Sequence, residues 1–182
     1  MSFLTKRSSI LIPCNPDLVY EILTDYDTYS EWMPSFTRSK LLAKEGDLAI
    51  AEFESVDPSK DLFVVEAIHT KNQMVLWRII RGTIPISEVQ WHIEPAAEGQ
   101  TRVTLALEGE FSRSWFFFTH FKIVKPARYL KALQSHISAF LPEVLTDEDG
   151  EKILEIAETS EGLICWMRGK KYILTPVPEG KS

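Results

Sequence analysis

The sequence predicts an α+β domain in which a curved antiparallel sheet of about seven strands lies against one long late helix, in the order β-α-α-β6-α. Three observations carry this. Between Arg38 and Phe111, six segments alternate apolar and polar residues and are joined by hairpin-length turns, the pattern of an antiparallel meander. From Pro126 to Leu141 apolar residues recur at three-four spacing, so a rod with one greasy face follows the meander. Near the N-terminus a strand and two short helices precede it, which places the helices on one side of the sheet and leaves the other side wet.

The first strand runs from Thr5 to Ile12 and stops at Pro13. Asn15-Pro16-Asp17 then starts a helix with a capping residue, a proline at the first helical position and an acid near the positive end of the dipole. Leu18, Val19, Ile22 and Leu23 form its buried face. Asp27 is the expected cap of a second short helix that Pro34 ends. The segment around it holds Tyr26, Tyr29, Trp32, Met33 and Phe36, which reads equally as a plug at one end of the sheet and as a ligand contact.

The meander strands are Arg38 to Leu42, Leu48 to Val56, Leu62 to His69, Met74 to Ile80, Glu88 to Glu94 and Arg102 to Phe111. Their turns fall at Lys44 to Asp47, Asp57 to Lys60, Lys71 to Gln73, Gly82 to Pro85 and Glu98 to Gln100. Ala49, Ala51 and Phe53 share a side, as do Val89, Trp91 and Ile93. In the long helix Ala127, Leu130, Leu133, Ile137, Phe140 and Leu141 form the stripe, with Tyr129, Ala132 and His136 on its shoulder. Residues 112 to 125, SRSWFFFTHFKIVK, read either as a first portion of that helix or as a loop over the open end of the sheet. Residues 1 to 142 make up this domain, and 143 to 182 an extension: a short acidic helix capped by Thr146, then a hairpin of Leu163 to Met167 with Tyr172 to Thr175, turning at Gly169. A lone hairpin is marginal in water, so the extension packs on the domain, extends the sheet edge, or pairs with another subunit as a homodimer.

At 182 residues, 45% hydrophobic and 25% charged, the chain is long enough for a real core and has an ordinary globular balance. A net charge of −6 without a Lys/Arg cluster speaks against a nucleic-acid partner. Cys14 and Cys165 stand far apart, in no metal or redox spacing, and read as reduced thiols. No stretch reaches the ~20 apolar residues of a membrane span, and MSFLTKRSSILIP lacks the apolar core of a signal peptide. The expectation is a cytoplasmic protein without stable membrane insertion.

No glycine loop for phosphate and no Gly-flanked nucleophile is present. The four histidines, His69, His92, His120 and His136, come from separate segments, so no metal site and no cofactor is expected. His69 shares the inward side of its strand with Phe63, Val65 and Ala67. His69 and His136 are therefore the candidates for acid-base catalysis, set against the plainer role of satisfied boundary histidines. Arg78 and Glu88 suit a solvated ion pair on the outer face. The recurrent signal is aromatic, and a curved sheet closed by one helix leaves room for an apolar pocket.

The first third of the chain resembles a known family. Ile10, Ile12 and Pro13, then Val19-Tyr20, Asp25-Tyr26 and Trp32-Met33-Pro34 match the opening of the polyketide cyclase/dehydrase and coenzyme Q-binding branch of the START-like, helix-grip superfamily. Trp91-x-Ile93-x-Pro95 and the strand ending at Phe111 fit more loosely, and the resemblance spans roughly residues 3 to 142. It implies a sheet gripping a C-terminal helix, on a scaffold that serves carriers, receptors and enzymes alike. No catalytic residue set carries over. The expected function is binding or transport of a lipid, isoprenoid quinone or polycyclic aromatic molecule between sheet and helix. Trp32, Phe53, Phe63, Trp77, Trp91, Tyr129, Leu133 and His136 are the expected lining, with Trp115 to Phe121 as a gate or a transient membrane contact. The alternatives are a cyclase or dehydratase of an aromatic polyketide-like substrate, and a non-catalytic assembly or regulatory module.

Overall fold

The computed structural model describes residues 2–56, 60–111 and 124–141, and the backbone of four strands between 143 and 174. The chain divides into two compact units, Met1–Ile137 and Ser138–Ser182.

The first unit opens with β1 (Ser2–Ile12), α1 (Pro16–Thr24) and α2 (Tyr29–Trp32). The meander follows: β2 (Phe36–Glu45), β3 (Leu48–Ser55), β4 (Asp61–Thr70), β5 (Met74–Arg81), β6 (Glu88–Pro95) and β7 (Thr101–Phe111). The long helix α3 (Pro126–Ser138) comes last. The seven strands form one sheet in the order β1-β7-β6-β5-β4-β3-β2, antiparallel throughout. This is the helix-grip arrangement. The ladder register shifts at Phe36/Arg38, Leu41/Ala43 and Val64/Val65, and irregularities of this kind bend a sheet.

Alternation decides the faces. Ala49, Ala51, Phe53, Val65, Ala67, Val75, Trp77, Trp91, Ile93, Val103 and Leu105 are buried on the inner side. The outer side carries the expected ion pair, Arg78 Nε to Glu88 Oε2 at 3.6 Å with the arginine half exposed, and a Ser9–Thr104 hydroxyl pair at 2.8 Å.

Val19, Ile22 and Leu23 bury one face of α1 against β5 and β6. Asn15 occupies the cap position without a side-chain hydrogen bond, and Asn72 of the β4–β5 turn reaches Asp17 at 2.6 Å to tie the helix to the sheet. Asp27 does not cap α2, whose cap position is Thr28. Its Oδ1 instead accepts the Leu41 N–H at 2.8 Å and fastens the connection to β2.

Helix α3 buries Pro126, Leu130, Leu133 and Ile137, while Ala127 is exposed. It ends at Ser138, short of the expected Leu141, because the Pro142 ring would clash with the carbonyl four residues back. Phe140 accordingly lies beyond the helix and is 60% exposed.

The second unit is a four-stranded antiparallel sheet, β11-β10-β9-β8, made of β8 (Glu143–Thr146), β9 (Lys152–Thr159), β10 (Gly162–Met167) and β11 (Lys170–Leu174). The expected hairpin is β10 with β11, Leu163 facing Leu174. The expected acidic helix is a strand, β9, and Thr146 belongs to β8 rather than to a cap. A helix that short is marginal alone, whereas β9 pairs on both sides from Leu154 to Ile156, and its β-branched Ile153, Ile156 and Thr159 favour a strand. The turns at Asp57 to Ser59 and Gly169, and the aromatic run Trp115 to Phe121, lie outside the described residues.

Candidate functional site: an apolar cavity between sheet and helix

Inward-facing residues of the central strands do not all meet a covering side chain. Phe63 of β4, Trp77 and Ile79 of β5, Val89 and Trp91 of β6, and Leu105 and Leu107 of β7 wall a cavity of about 60 Å³. Met33 bounds it from the α2–β2 connection, Phe36 from the first residue of β2, Val124 from just before α3, Tyr129 from the first turn of α3, and Ile84, Pro85 and Ile86 from the β5–β6 loop. Ser55 and Tyr129 bring the only side-chain hydroxyls among the described lining residues.

The loop at the mouth is held at both ends. Gly82 takes φ +130°, and a Cβ there would stand 2.5 Å from Phe63 Cβ, so the backbone passes close against the Cα–Cβ bond of Phe63. Asp61 Oδ2 accepts the Thr83 N–H at 2.7 Å, and Ser87 N–H donates to the Glu108 carbonyl at 2.8 Å. Between these anchors Ile84 to Ile86 are half-buried, with one side to the cavity.

Residues 5–134 match the model of the family described as polyketide cyclase/dehydrase and lipid transport. The chain belongs to this family. No curated protein matches the sequence. Among solved structures, a protein from Thermus thermophilus is 21% identical with TM-score 0.64, covering 75% of this chain and 98% of its own. A START superfamily protein from Mycobacterium smegmatis is 14% identical with TM-score 0.62, covering 74% and 97%. The Zhui aromatase/cyclase of a Streptomyces species is 11% identical with TM-score 0.57, covering 76% and 86%. At these identities the likeness is one of fold.

Within this polyketide cyclase/dehydrase and lipid transport fold, Phe63, Trp77, Trp91 and Tyr129 come together in the cavity wall. Phe53, Trp32, Leu133 and His136 do not. Phe53 points inward but is covered, stacked on Trp77 at 5.1 Å with Tyr29 at 5.4 Å. Leu133 is fully buried in the helix contact. Trp32 stacks on His136 with centroids 5.8 Å apart, and neither lines the cavity. Burial lowers the His136 pKa, partly opposed by Glu31.

His69 lies six residues along β4 from Phe63, about 20 Å away at the strand rise. It is buried under α1 and the α1–α2 connection, with Nε2 2.6 Å from the Tyr26 hydroxyl. Burial and Lys44 hold its pKa down, against a smaller upward pull from Asp47. Burial pushes both Tyr26 and Tyr29 upward, and the Tyr29 hydroxyl donates to the Leu23 carbonyl at 2.8 Å. This end of the sheet is a sealed plug. The aromatic connection thus divides its work: Tyr26 and Tyr29 fill the plug, while Met33 and Phe36 face the cavity.

The wall residues missed by sequence reasoning are chiefly Ile84 to Ile86, Ser55, Ile79, Val89, Leu105 and Leu107, whereas Met33 and Phe36 belong to the segment read both as a plug and as a ligand contact. Ser55 carried a usable signal, since it continues the inward alternation of Ala49, Ala51 and Phe53. The loop residues carried none, because strand periodicity does not reach them.

Proposed function

We propose that this protein binds a small hydrophobic ligand, a lipid, isoprenoid quinone or polycyclic aromatic molecule, with one end of it in the cavity between sheet and α3. The observation behind this is the cavity wall itself: aromatic and aliphatic side chains from five strands, the β5–β6 loop and the start of α3 converge, and few polar groups interrupt them. Each 100 Å² of apolar ligand surface buried there contributes roughly 2.5 kcal/mol.

At about 60 Å³ the cavity is smaller than the ~150 Å³ of an engineered apolar cavity that takes up benzene. Entry of a ring therefore displaces part of the wall. Ile84 to Ile86 are suited to give way, since they are half-buried and belong to no strand. A ring-sized head would occupy the enlarged cavity, and the remainder of a longer ligand would run out past this loop.

A cyclase or dehydratase activity is the second reading, favoured by the likeness to an aromatase/cyclase. It ranks below binding because the only ionisable side chain among the described lining residues is Tyr129, while His69 and His136 lie outside the wall. Native mass spectrometry of protein extracted without detergent wash, followed by titration with a short-chain quinone and a fatty acid, tests the first reading. Protein that emerges empty and takes up neither would end it.

A further inference from the structure

Trp91 is 1% exposed, and its indole nitrogen is buried with no hydrogen-bond partner among the described residues. Buried donors are normally satisfied, so each exception calls for an explanation. Trp32 and Trp77 share this condition, but their surroundings differ. Trp32 is outside the cavity wall, stacked on His136. The Trp77 indole bears on the Tyr26 hydroxyl, without the alignment of an ordinary hydrogen bond. Trp91 stands instead in the cavity wall beside Trp77, rings edge to face at 6.5 Å.

Hydrogen bonding within the protein does not call for an indole at this position. Phenylalanine would also bury an aromatic ring between Val75 and Leu105, the cross-strand neighbours of Trp91, and would bring no donor to leave unpaired. An unsatisfied donor in an apolar wall has a use if the occupant supplies the acceptor.

We propose that the ligand presents a hydrogen-bond acceptor oxygen, a ketone or quinone carbonyl, to Trp91 Nε1–H, and that this contact selects among ligands of equal shape. The proposal rests on the ligand-binding reading and adds to it a polar address. An occupant that shuts out water but lacks the oxygen leaves the donor unpaired, so discrimination comes from the mismatch as much as from the bond.

Two single-ring probes of nearly equal shape separate these ideas: acetophenone and α-methylstyrene, in which a carbonyl oxygen is exchanged for a CH₂ group. In protein carrying ¹⁵N-labelled tryptophan, the five indole N–H signals report directly, and the Trp91 signal is the one missing from Trp91→Phe. Both probes are expected to bind. Only the ketone should move the Trp91 indole proton downfield, and it should bind about 10-fold more tightly. In Trp91→Phe the ketone should fall to the level of the alkene. Equal affinities in the unaltered protein, with no distinct Trp91 shift, overturn the proposal and leave the cavity as a binding site. A ketone preference that survives in Trp91→Phe also overturns it. If neither probe binds, the binding reading falls and takes this inference with it. The wild-type shift comparison stands even if the variant folds poorly, since sequential assignment also identifies the Trp91 signal.

Discussion

The Tyr26 hydroxyl and His69 Nε2 are 2.6 Å apart in the buried plug between α1 and the sheet, their rings nearly parallel at 15°. Burial disfavours the charged form of both partners, raising the phenol and lowering the imidazole. The pair is a neutral hydrogen bond, and its neutrality has a pH signature. As pH falls through about 6.5, the ordinary histidine value, the unfolded chain takes up a proton that folded His69 refuses. Stability should therefore be level above about pH 7.5 and decline on acidification, flattening once the folded pKa is passed. His136 is shifted in the same direction and adds a smaller share, because it is more exposed. Urea midpoints from pH 8 to pH 5 would show this, and His69→Phe should remove most of the slope while costing ~1–3 kcal/mol for the orphaned Tyr26 hydroxyl. Stability that rises on acidification over this range contradicts the assignment.

Gly82 leaves no room for a side chain beside Phe63 of the cavity wall. Gly82→Ala combines a φ of +130° with a Cβ driven into Phe63, so a loss of at least ~2 kcal/mol is expected. The denaturant midpoint should fall, and probe affinity should fall with it because Phe63 is displaced. A stable variant with unchanged binding would mean that the loop is free to re-route.

Filling the cavity separates binding from folding. Val89 is 7% exposed and lines the wall. In Val89→Phe the added ring occupies the space that a ligand would use. Uptake of quinone or fatty acid should be lost, while stability stays within about 1 kcal/mol of the parent because a void is filled rather than a packed core strained. Unchanged uptake would place the ligand elsewhere.

The second unit, an open sheet of four strands, ends in β8 and β11, each paired on one side within that sheet. Strand edges of this kind recruit partners. The full chain is expected to self-associate, and a chain lacking residues 143–182 to run as a monomer, with α3 intact because it ends at Ser138. Light scattering on both proteins decides this. Identical masses per chain would make the extension a local cap.

Strand positions were legible wherever one face is buried, because a period of two leaves little freedom: Val89, Trp91 and Ile93 point inward as their alternation requires. The same rule picked out Phe63, Trp77 and Trp91 for the cavity wall, and helix periodicity placed Tyr129 on a shoulder that faces it. It could not tell that Phe53, equally inward, would be roofed by Tyr29, since that depends on where a connection folds back. Ile84 to Ile86 were invisible for the related reason that loops carry no periodicity. The extension was misread because Ile153, Leu154 and Ile156 suit a narrow helix edge and a strand alike, and only the pairing of β9 with β8 and β10 decides between them.

The pairing of β1 with β7 joins Thr5 to Glu108 and Ile12 to Thr101, across nearly the whole length of the first unit. On the ribosome, hairpins from β2 onward can zip as they emerge, but β1 has no strand to join until β7 has left the exit tunnel. The inner face must wait longer still, for α3. Folding of this unit should therefore be a late, post-emergence event limited by loop closure, and slow for its size. A nascent chain stalled before residue 126 would hold a greasy sheet face open to other nascent chains or to a chaperone, whichever reaches it first.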